Sequence, residues 1–192
     1  MNRLILASCS PRRSELLRRI GLSFDTYVPE VDESCSLPAG DAVRQLSVRK
    51  ARAAAEVYPG CFILAADTLV SLDGTVLGKP DDYDDAVRML RSLSGRTHQV
   101  YTGVTVISPE GYIFTDSDRT DVTFAFMSDA EIVSYVNSGE PMDKAGAYAL
   151  QGRAGMWIVR LNGSDSSVVG LPLYLVRSLL IRAGFFHPVN AE

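Results

Sequence analysis

The run Phe62-Ile63-Leu64-Ala65-Ala66 constrains the fold more than any other stretch. Five consecutive apolar residues leave no polar face, so as a strand this segment must be covered on both sides. The run ends in Asp67-Thr68 and resumes at Leu69-Val70. A carboxylate in such a run is costly to bury unless it is paired, hydrogen-bonded or bound to metal. Asp67 is therefore a candidate general base or metal ligand, although an Asp closing a turn at a strand end would look the same.

A second apolar run, Leu4 to Ala7, breaks at Ser8-Cys9-Ser10 and restarts as a helix. Ser10 suits the N-cap and Pro11 the first helical position, where its missing N–H is not needed. Arg12 and Arg13 then fall in the first turn, where the helix end disfavours cations. A polyphosphate above the helix end would account for them, and so would two solvated arginines. A long helix from about Asp41 to Tyr58 places Val43, Leu46, Ser47, Ala54 and Val57 on one stripe, with Lys50 in its middle. That lysine either snorkels to the edge or meets a carboxylate or phosphate.

Asp73-Gly74 turns the chain into Thr75-Val76-Leu77. Gly78-Lys79-Pro80 leads into a helix with Ala86, Val87, Leu90 and Leu93 inward. Two long strands follow, Gln99 to Ser108 and Tyr112 to Phe126, and then the capping box Ser128-Asp129-Ala130-Glu131. Small residues between Gly139 and Gly155, with Gln151 among them, suit backbone close to a ligand or a surface loop. A last strand runs from Met156 to Leu161, and a last helix follows Gly170-Leu171-Pro172. Intermixed strands and helices with a long hairpin predict a mixed α/β fold, with no linker or repeat to divide residues 1–192 into more than one domain.

The net charge of −4 gives no global field for nucleic acid, so an anionic ligand needs a local basic cluster. No apolar run approaches the roughly 18 residues that span a bilayer. An odd count of three cysteines without metal-type spacing, and no leader-like start, predict a cytoplasmic protein. Arg12, Arg13, Lys50 and Lys79 match the charge of a triphosphate, and Glu33 with Asp67 match a divalent metal and an activated water.

Ser8-Cys9-Ser10-Pro11-Arg12-Arg13, Ala66-Asp67-Thr68, Gly78-Lys79-Pro80, Tyr101-Thr102-Gly103, Asp143 to Tyr148 and Gly170-Leu171-Pro172 resemble, in order, the signature segments of the Maf nucleotide pyrophosphatases. The resemblance implies an elongated twisted sheet flanked by helices, with two lobes around a central cleft, as in the inosine triphosphatases. It implies cleavage of a nucleoside triphosphate to monophosphate and pyrophosphate, a divalent cation (Mg²⁺ or Mn²⁺), and frequent homodimers. By the same resemblance Asp67 is the proton acceptor, with Lys79 and Glu33 as further catalytic positions. Glu33 and Asp67 hold the metal, and Ser8, Arg12, Arg13, Lys50, Thr68 and Gln151 bind the substrate. The branch that prefers 7-methyl-GTP carries Trp, Gln and Glu where this chain has Arg12, Thr68 and Gln151, so the sequence resembles the dTTP/UTP branch. The Gln151 amide offers both a donor and an acceptor to the N3–H and O4 of a uracil. Three rivals stand beside this reading: a pyrophosphatase for 7-methyl-GTP or non-canonical purines, a nucleotide-binding regulator of cell division with little turnover, and a sugar-nucleotide transferase.

Overall fold

The computed structural model describes residues 3–186. Its strands are β1 (Leu4–Ala7), β2 (Asp25–Tyr27), β3 (Phe62–Leu72), β4 (Thr75–Leu77), β5 (Thr97–Ile107), β6 (Ile113–Phe124) and β7 (Ile158–Asn162). Its helices are α1 (Pro11–Arg19), α2 (Ala39–Val57), α3 (Tyr83–Leu93), α4 (Asp129–Val136), α5 (Asp165–Val169) and α6 (Leu173–Arg182). The strands form one seven-stranded mixed sheet in the order β2-β1-β3-β5-β6-β7, with β4 added to β3. The mixed α/β expectation is met. β2 and β3 both pair with β1 in parallel, and the remaining pairings are antiparallel.

Strand β3 does not stop at Asp67. It runs unbroken through Asp67 and Thr68 to Leu72, because β5 pairs with it from Ile63 to Ser71 on one side. On its other side the pairing is interrupted. β1 covers Phe62 to Ala65 and β4 covers Val70 to Leu72, so residues 66–69 have no strand neighbour there. The sheet therefore opens off the carboxyl end of β1, a place where α/β sheets bind ligands.

Side-chain alternation along β3 sorts the two polar residues at this opening. Ile63 and Ala65 pack with Ala51 and Ala54 of α2, and Asp67 continues that face. Leu64 and Ala66 pack with Leu16, Leu17, Val176 and Leu180 of α1 and α6, and Thr68 continues that one. Beyond the opening, Val70 and Leu72 belong to a separate core built with Leu90, Leu93, Phe124, Tyr135 and Trp157. Three apolar clusters thus meet at the polar positions Asp67 and Thr68.

The expected helix ends are observed: Ser10 accepts from Arg13 N–H, Pro11 opens α1, and Ser128 with Glu131 forms a complete capping box. Some expectations fail. Val57 is 51% exposed because the last turns of α2 pack on the sheet through Ala51, Ala54, Ala55 and Tyr58 instead, and α5 had no periodic signal at five residues. Met156 and Trp157 lie in a 3-10 turn, so the last strand begins at Ile158.

One buried polar residue in the larger core sets an acid limit on stability. His98 is fully buried, bonds Tyr148 Oη through Nε2 at 2.8 Å, and leaves Nδ1 unpaired. Burial pushes the imidazole pKa down to about 4. Between that value and the unfolded value near 6.5, the unfolded chain takes up a proton that the folded protein refuses. His98 therefore contributes fully above about pH 6.5, and about 3 kcal/mol is lost as pH falls to 4. Urea unfolding at pH 7.5 and 4.5 should show a smaller acid loss in His98→Gln than in the wild type. Equal losses would contradict the assignment.

Candidate active site

At the opening, Lys50 of α2 reaches over the Asp67 face. Its Nζ lies 2.5 Å from Asp67 Oδ1 and 2.6 Å from Glu33 Oε1, with 13% of the lysine side chain and 10% of the aspartate exposed. The lysine on the apolar stripe meets carboxylates rather than snorkelling. The hydrogen bond from Lys50 holds the Glu33 carboxyl below its ordinary range against partial desolvation, and the charges of Lys50, Lys79 and Arg13 add to this.

Gly103 makes this approach possible. It lies directly opposite Asp67 in the β3–β5 register, and a Cβ built on it would stand 2.2 Å from the Val43 carbonyl oxygen of α2. One turn further along the helix, Ser47 Oγ and Thr105 Oγ1 hydrogen-bond at 2.8 Å. The next turn carries Lys50.

Across the sheet, Arg13 is held by three bonds. Nε donates to the Gly170 carbonyl at 2.7 Å, Nη1 to Ser8 Oγ at 3.2 Å and Nη2 to Thr68 Oγ1 at 3.2 Å. Thr68 Oγ1 also bonds Thr102 Oγ1 at 2.9 Å, and Thr102 donates to the Ser167 carbonyl at 2.8 Å. Burial lowers the Arg13 pKa, opposed by the nearby Asp67 charge. Of its five N–H donors, two stay free for a ligand. Arg12, one residue before it, makes no hydrogen bond or ion pair among the described residues, and its charge is felt by Asp143.

Ser8, Arg13, Glu33, Lys50, Asp67 and Thr68 are thus brought together. Lys79 is exposed, near enough to act on Glu33, and the Gly78 carbonyl accepts from Gly146 N–H at 2.9 Å, which ties its loop to the 3-10 turn Ala145–Ala147. Gln151 is exposed on a turn at 150–152, and no hydrogen bond joins it to the cluster among the described residues. Arg49 was not anticipated. It lies off the apolar stripe, yet its Nη1 donates to the Asp32 and Ser34 carbonyls at 2.9 and 2.8 Å, gripping the loop on both sides of Glu33. No sequence signal marks that role, since those partners sit in an irregular loop.

Basic side chains facing two carboxylates, at the open end of a parallel pair and beside a helix N-terminus, define an α/β protein whose opening suits an anionic ligand such as a phosphate. The family described as Maf-like protein matches residues 3–183, and the chain belongs to it. A dTTP/UTP pyrophosphatase of Symbiobacterium thermophilum is 49% identical over 188 residues, 96% of each chain. One of Anaeromyxobacter dehalogenans is 51% identical over 186 residues, 95% of each. Among solved structures, the HAM1 protein of Coxiella burnetii shares the fold with a TM-score of 0.55 and 17% identity, over 95% of this chain and 100% of that one. The Ham1 protein of Staphylococcus aureus gives the same TM-score at 13% identity, over 94% and 99%.

Proposed function

We propose that this protein hydrolyses dTTP and UTP to the nucleoside monophosphate and pyrophosphate. The observation that carries the reading is Asp67, buried in an apolar strand and paired with Lys50 at an opening that Arg13 borders through Ser8 and Thr68, with Lys79 near enough to act on Glu33. The relatives' names supply the substrates, and a match that covers 95–96% of the chain supports the transfer.

In this mechanism Arg12, Lys79 and the free donors of Arg13 hold the triphosphate. Lys50 exchanges a carboxylate for a phosphate oxygen, which frees Asp67 to accept the proton of the attacking water. The water oxygen bonds to the α-phosphorus as the bond to the bridging oxygen breaks, and the basic residues balance the charge on departing pyrophosphate. Glu33 and Asp67 would hold Mg²⁺ or Mn²⁺, which supplies charge neutralisation and a more acidic water. Two carboxylates with the remaining positions left to water and phosphate oxygens suit such a hard ion. Among the described residues there is no cluster of three His, Cys, Asp or Glu to form an all-protein cage. Gln151 reads the pyrimidine edge.

A cytoplasmic, homodimeric protein without a nucleic-acid partner fits this reading. The described cysteines are unpaired, the net charge is −4, and no described helix is long and apolar enough to cross a membrane.

The test is incubation with Mg²⁺ or Mn²⁺ and dTTP, UTP, CTP, GTP, 7-methyl-GTP and ITP, separating pyrophosphate from orthophosphate. TMP or UMP with pyrophosphate, and little purine turnover, is expected. Gln151→Glu should lower UTP turnover by about tenfold or more, since the amide donor to O4 is lost. Preferred cleavage of 7-methyl-GTP or ITP would refute the specificity, and nucleotide binding without pyrophosphate release would point to the regulator.

A further inference from the structure

An exposed amide reads a base well only if its backbone is already ordered, because ordering on binding subtracts from affinity. The turn that carries Gln151 is ordered by one carboxylate. Gly152 N–H closes the turn on the Ala149 carbonyl at 3.1 Å. After it, Arg153 N–H donates to Glu140 Oε1 and Oε2 at 3.1 and 3.2 Å. Before it, Ala149 N–H donates to Tyr135 Oη at 3.2 Å, and that hydroxyl donates to Glu140 Oε1 at 2.8 Å.

Both ends of the turn therefore lead to Glu140, one directly and one through Tyr135. Tyr135 is fully buried in α4, its ring against Trp157 at 5.4 Å between centroids. The turn also fits closely over the acid. A Cβ on Gly152 would lie 2.1 Å from Glu140 Oε1, so only glycine fits at that position without a shift. Glu140 makes no hydrogen bond or ion pair with Asp67, Lys50, Glu33 or Arg13 among the described residues.

We infer that Glu140, acting with Tyr135, is a positioning residue for base selection, fixing the 149–153 turn so that Gln151 meets the pyrimidine edge in one orientation. This rests on the reading of Gln151 given above. Such a residue affects which base is accepted more than how the phosphorus is attacked.

The test compares UTP with CTP, which share sugar and triphosphate and differ at the edge Gln151 faces. Glu140→Ala is expected to lower the UTP:CTP ratio of kcat/KM by about tenfold, mainly through KM for UTP. Glu140→Gln keeps an accepting oxygen and should hold the ratio within about threefold of wild type. Tyr135→Phe removes only the hydroxyl and should lower the same ratio, which decides the matter if Glu140→Ala does not fold. An unchanged ratio, or equal losses on both nucleotides, overturns the inference. Gln151→Ala in parallel separates the two readings. If it leaves the ratio unchanged, the role of Gln151 itself fails and the positioning role with it. If it collapses the ratio while the Glu140 and Tyr135 variants do not, only the positioning role fails.

Discussion

Asp67→Asn is expected to lower kcat/KM for UTP by about a hundred- to ten-thousand-fold, the range for loss of a positioned proton acceptor. The amide matches the carboxylate in shape but cannot accept the proton. The variant should still fold. Lys50 keeps Glu33 at 2.6 Å and a carbonyl oxygen at position 67, so its ammonium is not stranded. The melting temperature should stay within about 5 °C of wild type, as for a change of one or two kcal/mol in a chain of this size. Pyrophosphate release and a thermal melt on the same preparation decide it. Turnover above a tenth of wild type in a folded variant would remove Asp67 from the chemistry.

Gly103→Ala is expected to be the most destabilising single-methyl change in the sheet. The added carbon would stand 2.2 Å from the Val43 carbonyl oxygen, 2.4 Å from its carbon and 2.7 Å from Arg44 N. These are backbone atoms of a helix, which cannot rotate away as a side chain tip can. Either β5 or α2 must move, at a cost of about 3 kcal/mol or more. A loss of that size lowers the melting temperature by about 6–12 °C. Movement of α2 also carries Lys50 away from Asp67, so activity should fall even below the melt. A melting temperature within about 2 °C of wild type would show that the close approach is not needed.

Several features of the site are local enough to be legible in the chain. Ser10 and Pro11 set the start of α1, and Ser128 with Glu131 that of α4, because caps depend on residues two or three apart. The apolar run of β3 announces a strand covered on both faces, and Lys50 on an apolar stripe announces a buried charge in need of a partner. The resemblance marked Gly103 and Gly170 within signature segments without saying why. Gly103 admits the backbone of α2, and Gly170, at φ +113°, sits against Arg13 and Thr68 while its carbonyl accepts from Arg13.

Sequence by itself determined the helix starts, the buried strand and the need of Lys50 for a charged partner, because each follows from periodicity or from neighbours along the chain. Tertiary structure alone decided that Arg13 spends three donors on residues as distant as Gly170, that Arg49 holds the Glu33 loop, and that Glu140 holds the Gln151 turn. Those partners lie 5 to 157 positions apart, and their hydrogen bonds exist only once packing has brought their elements together.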